Sequence, residues 1–142
     1  MSLVPDARLS ALLLRTEIED FNTDYAEKLD RQDLTAWTDC FVEDGFYTVI
    51  SRENFERSHP VGLIYCEGRA MIVDRAFALL KTAMFGPRYL RHMISNLSVA
   101  PQPDGTICAR ANFTVVPTAS ATMPYFAEAP TTELVSWPFV TE

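Results

Sequence analysis

Two runs of alternating side chains, residues 89–99 and 106–116, flank the turn sequence Pro101-Gln102-Pro103-Asp104-Gly105. Alternation with period two marks a strand with one face buried, and Asp-Gly is a favoured hairpin dipeptide. The two runs are expected to pair antiparallel. In the first, Tyr89, Met93, Leu97 and Val99 are assigned one face, and His92, Ile94 and Asn96 the other. In the second, Ile107, Ala109, Ala111, Phe113 and Val115 alternate with Cys108, Arg110, Asn112 and Thr114.

Upstream the period changes. Leu14, Ile18, Phe21, Tyr25 and Leu29 recur at steps of three and four, which places them on one stripe of a helix spanning residues 1–30. Asp33 is a candidate N-cap for a second, shorter helix that turns Leu34, Trp37 and Phe41 inward. Val42-Glu43-Asp44-Gly45 closes it, with Gly45 expected in the left-handed cap position. Residues 46–50 read as a strand, 51–60 as a polar loop and 61–66 as another short strand. From Gly68 the helical period returns, with Ile72, Ala76, Leu79 and Ala83 on one face, until Gly86-Pro87 stops it.

The order is helix, helix, strand, strand, helix, strand, strand. Helices followed by an antiparallel hairpin define an α+β fold rather than a parallel wound sheet. After Pro117 the pattern breaks down. Pro117, Pro124, Pro130 and Pro138 fall there, and no Lys or Arg follows Arg110. Residues 1–116 are read as one α+β domain, and 117–142 as an irregular Pro-rich tail in the place of further strands.

A chain of 142 residues, 48% of them hydrophobic, can bury a core without help from disulfides or metal. Its 12 basic and 19 acidic residues give a net charge of −7, which argues against nucleic acid as a partner. Cys40, Cys66 and Cys108 are widely spaced and form no C-x-x-C, so they are read as reduced thiols. No uncharged run approaches the roughly 18 residues of a membrane helix, and the N-terminus does not read as a signal peptide. A cytoplasmic protein with no membrane partner is expected.

Residues able to carry chemistry are few. A facial triad for iron would need His59, His92 and an acid such as Asp74, but no local spacing joins them. His92 is read as a structural histidine paired to a nearby carboxylate or carbonyl. There is no Gly-x-Ser-x-Gly elbow, no glycine-rich phosphate loop and no Cys-x-His of a Rieske centre. What remains is acid–base chemistry in an apolar pocket, with Asp30 or His92 as base and Tyr47 as hydroxyl donor. The same three residues serve equally as a helix-end charge, a strand aromatic and a buried polar link. Asp74 and Arg75 suggest an ion-paired surface, and Arg91 with His92 a further interface or bridging cluster.

Several short motifs, in order, resemble the small (beta) subunits of aromatic-ring-hydroxylating oxygenases. Asp20-Phe21, Tyr25-Ala26 and Leu29-Asp30, then Trp37, Phe41, Asp44-Gly45 and Tyr47, are similar to the opening of that family. Asp74-Arg75 with Ala78-Leu79 looks like its third helix, and Arg91-His92-Met93-Ile94-Ser95-Asn96 like its following strand. Arg52-Glu53-Asn54-Phe55 and Arg69-Ala70-Met71 are most similar to the subgroup acting on salicylate, anthranilate, benzoate or terephthalate.

The resemblance implies N-terminal helices packed into a strongly curved mixed or antiparallel sheet, the cystatin-like cone of SnoaL-like proteins and ketosteroid isomerase. It implies a non-catalytic, structural subunit with no cofactor or metal of its own. A large (alpha) subunit would carry the Rieske iron–sulfur cluster, the mononuclear iron and the substrate pocket. Three large and three small subunits would form a hetero-hexamer, with self-association to a trimer as a further possibility. A stand-alone isomerase or dehydratase of the same cone, using Asp30, Tyr47 and His92, is the alternative.

Overall fold

The structure, a computed structural model, describes residues 6–59, 61–81 and 88–119. Helix α1 (Asp6–Asp30) buries Ile18 and Ala26, and Leu14, Phe21, Tyr25 and Leu29 are half-buried along the same stripe. It ends in a Schellman arrangement: Asp33 N–H bonds the Lys28 carbonyl at 2.9 Å and Gln32 N–H the Leu29 carbonyl at 3.0 Å. That closure needs a left-handed residue, and Gln32 supplies it at φ 58°. Asp33 then caps α2 (Leu34–Thr38), accepting from the Ala36 N–H.

Strand β1 (Phe46–Val49) pairs antiparallel with β2 (Ile64–Glu67), Tyr47 opposite Cys66. Between them, residues expected to be loop form a short helix, α3 (Arg52–Glu56). Ser51 caps it by accepting from the Asn54 N–H. Gly45 departs from expectation differently. Its φ is not positive; what requires glycine is space, since an added Cβ would meet the Val42 carbonyl oxygen at 2.9 Å. In this part of the chain the glycine with positive φ is instead Gly68, at φ 81°, immediately before α4 (Arg69–Lys81). Helix α4 buries Ile72 and Ala76 but leaves Leu79 exposed; Ala83 and Gly86-Pro87 lie outside the described residues.

The hairpin forms as its alternation predicts. Strands β3 (Arg88–Pro101) and β4 (Ile107–Ala119) pair antiparallel around Gly105, which sits at φ 86°. Strand β4 runs past Val116, with Pro117 opposite Leu90. Proline has no N–H to donate and fits a strand with one hydrogen-bonded neighbour among the described residues. The rest of the stretch read as a tail, residues 120–142, lies outside the described residues.

One register feature overturns the face assignment made for β3. The ladder shifts between Ser95 and Ser98, and Asn96 adopts φ 55°. This is a β-bulge, which inserts a residue and inverts the alternation beyond it. Leu97 and Val99 therefore turn toward α1, the side to which His92 and Ile94 already point, and Tyr89 and Met93 are left exposed.

Two apolar clusters result. Trp37, Phe41, Cys66, Ile72 and Ala76 form one, ringed by Tyr25, Leu29, Tyr47 and Ile64. Ile18, Ile107 and Ala109 form the other, at the seam between α1 and the hairpin.

Candidate functional site

Asp30 occupies the last residue of α1, where the helix dipole disfavours a negative charge. Its carboxylate is nevertheless 8% exposed, so donors must satisfy it. Strand β3 supplies them. The His92 backbone N–H lies 3.0 Å from Oδ1 and 3.3 Å from Oδ2, and the His92 Nδ1 lies 2.7 Å from Oδ1. Arg91 Nη1 approaches Oδ2 at 3.5 Å from a side chain that is 75% exposed, so water screens much of that attraction. A carboxylate oxygen accepts, so the hydrogen of this contact sits on Nδ1.

His92 is itself 13% exposed and lines a cavity of about 120 Å³ between α1, β1 and the hairpin. Among the described residues, the polar part of the wall is Asn22, Tyr25, Tyr47, His92 and Arg110. Ala26, Leu29, Leu97, Ala111 and Phe113 contribute much of the apolar part. The bulge at Asn96 brings Leu97 into this wall alongside His92. Tyr47 reaches the cavity with its ring packed edge-to-face on Trp37, centroids 5.4 Å apart, and on Phe41 at 5.7 Å.

The sequence-predicted residues thus divide. Asp30 and His92 meet, across 62 positions of sequence, and His92 and Tyr47 share a cavity wall. Asp30 is turned to His92, so it acts on the cavity only through the imidazole. Arg91 bridges within the chain. Asp74 and Arg75 stand exposed on α4, and among the described residues no ion pair includes either. Neighbouring residues on a helix point about 100° apart, so they cannot face each other. The ion pairs that tie α4 to the chain beyond α2 are instead those of Arg69 with Asp39 and, at 3.7 Å, with Glu43.

Cys40 and Cys66 are poor nucleophiles. Burial pushes Cys40 up, against a weaker pull from the Lys28 ammonium, whose Nζ lies 3.6 Å from the sulfur. Burial likewise raises Cys66, with Arg75 opposing it. His59 is exposed after α3, and among the described residues no group of three His, Cys, Asp or Glu side chains is placed to hold a metal ion. Nor, among the described residues, is any helix long and apolar enough to cross a membrane.

Comparison with known proteins agrees with this architecture. The pattern of the SnoaL-like domain matches residues 10–136, and the chain belongs to that family. Over 104 residues it is 34% identical to the anthranilate 1,2-dioxygenase small subunit of Burkholderia cepacia, covering 73% of this chain and 65% of that one. It therefore spans just under two thirds of that relative's length.

Among solved structures, it superposes at a TM-score of 0.69 and 32% identity on a chain of Novosphingobium aromaticivorans. That chain is assigned as the beta subunit of an aromatic-ring-hydroxylating dioxygenase, and the match covers 78% of this chain and 70% of that one. An NTF2-like protein of Novosphingobium aromaticivorans, described as having a cystatin-like fold, matches at a TM-score of 0.57 and 29% identity, over 82% of this chain and 67% of its own. The cystatin-like α+β class expected from the sequence is the class found.

Proposed function

We propose that this chain is the small, non-catalytic subunit of a multicomponent oxygenase that hydroxylates aromatic acids. It supports assembly of the large subunits that carry the Rieske cluster and the mononuclear iron. The observation that carries the reading is the 34% identity to the anthranilate 1,2-dioxygenase small subunit. A surface rich in uncovered apolar side chains suits a partner-bound subunit: Leu63 and Phe77 are 79% and 60% exposed, and Phe55, Tyr89 and Met93 are also open. The complex is a hexamer of three large and three small subunits, and it works in the cytoplasm.

Co-expression with a ring-hydroxylating large subunit from the same genome, followed by size-exclusion chromatography, tests this. The two chains are expected to co-elute. Separate elution of both counts directly against the assembly role.

A second reading, acid–base chemistry at His92 with Tyr47 as hydroxyl donor, is favoured by one observation: the carboxylate-held imidazole and the phenol share a cavity. The chain's named relatives at 30% identity or above are oxygenase small subunits, and they favour the assembly reading.

A further inference from the structure

Helix α4 carries a second apolar stripe beside the one it buries, and we infer that this stripe pairs two copies of the chain through an antiparallel, two-fold helix contact centred on Phe77. The pairing is a property of the chain alone and does not rest on the assembly role.

Successive helical residues turn by about 100°. Ile72 and Ala76 face the core, and Val73, Phe77 and Leu80 recur at steps of four and three one position round from them. These three are 43%, 60% and 47% exposed, so about two turns of apolar helix surface lie uncovered. The flank of the stripe away from the core holds Asp74 and Lys81, both exposed. Among the described residues, neither enters an ion pair. Lys81 Nζ lies 5.6 Å from the centre of the Phe77 ring, which sets the ammonium at the edge of the stripe.

The charges choose the occupant and its direction. A two-fold axis at Phe77 sets the helices antiparallel, and each copy meets the other with the same surface. Val73 of one copy then packs beside Leu80 of the other, with the two Phe77 rings meeting at the axis. In an antiparallel pair a flank meets the same flank of its mate. Asp74 of one copy therefore comes level, to within about one residue, with Lys81 of the other. The axis repeats that opposite-charge contact, which gives two. A parallel pairing turns unlike flanks together and loses this match. Two cations on α4 do not oppose it: Arg69 is held by Asp39 and Glu43, and Arg75 lies round the helix toward Cys66. Two turns of helix bury less than the roughly 1,200 Å² at the lower end of stable interfaces, so the dimer is a weak one.

Sedimentation velocity of the full chain alone, from about 10 μM to about 1 mM, reads the pairing. A reversible monomer–dimer equilibrium is expected, with a Kd on the order of 100 μM. Phe77→Glu is expected to leave a monomer throughout. Asp74→Lys and Lys81→Asp are each expected to raise the Kd about tenfold, because the axis doubles every change. The double variant Asp74→Lys/Lys81→Asp exchanges the two charges, and its Kd is expected to return to within about threefold of the unaltered chain's. All three positions are exposed, so the variants keep the fold. A monomer at the highest concentration, larger species in place of a dimer, an unchanged Kd for Phe77→Glu, or a double variant no tighter than the single ones would each overturn the inference. If the unaltered chain is monomeric alone and Phe77→Glu abolishes co-elution with a large subunit, the stripe belongs to that subunit and not to a second copy.

Discussion

Tyr25, Leu29 and Tyr47 stand between two regions that bury their surfaces in different ways. On one side, Trp37, Phe41, Cys66, Ile72 and Ala76 close on each other, with Trp37 and Phe41 rings 4.9 Å apart and Ile72 wholly inaccessible. On the other, the buried apolar side chains clustered at the seam between α1 and the hairpin are, among the described residues, Ile18, Ile107 and Ala109. Beside them the seam holds half-buried Leu14, Leu97 and Val99, a carboxylate, an imidazole and an open volume. The aromatic cluster holds the α1–α2–α4 corner by packing, where the loss of any ring leaves a void. The seam is held by directional bonds around a space, which is the arrangement that can admit something else.

The sharpest way to break the contrast is to truncate each region at its centre. Trp37→Ala should cost about 3–5 kcal/mol of unfolding free energy, read by urea denaturation. Trp37→Phe should cost clearly less, since the indole N–H has no hydrogen-bond partner among the described residues and only ring area is lost. In the seam, Asp30→Ala should cost about 1–3 kcal/mol, because it leaves the His92 donors buried without an acceptor. A larger loss for Asp30→Ala than for Trp37→Ala would reverse the assignment of the two roles.

A smaller effect tests the joint that aims Asp30 at the strand. Gln32 holds the left-handed position that ends α1, where a side chain is strained. Gln32→Gly should raise stability by up to about 1 kcal/mol in the same denaturation measurement. No gain would mean that the Schellman closure is not what sets the helix end.

The smallest effect lies at the hairpin turn. The Thr106 hydroxyl, then its backbone N–H, hold the Asp104 carboxyl below its ordinary value of 3.8. A carboxylate whose folded pKa is lowered contributes stability above the unfolded value and loses it as pH falls through the folded one. Asp104→Asn should therefore narrow the difference in melting temperature between pH 5 and pH 3. An unchanged difference would remove the turn from the molecule's acid response.

Much of this architecture was legible from the residues. The Asp104-Gly105 hairpin, the Asp33 cap and the α1 stripe each rest on local signals spanning a few positions, and all three formed. Helix α3 was hidden because five residues show no period, and its one cue was Ser51 three positions before Asn54. The bulge at Asn96 was missed because alternation read from sequence assumes an unbroken register. Asn is among the residues that tolerate positive φ, and that was the available hint. The Asp30–His92 pair joins residues 62 positions apart, and neither helix nor strand periodicity reaches that far. The cavity depended on the bulge, so its wall could not be drawn before the register was known.

Native mass spectrometry of the chain co-expressed with a ring-hydroxylating large subunit from the same genome puts the assembly role to its most direct test. A complex with equal numbers of the two chains, three of each, is expected. A large subunit that reaches its full oligomeric state without this chain, with the chain itself left uncomplexed, would contradict it.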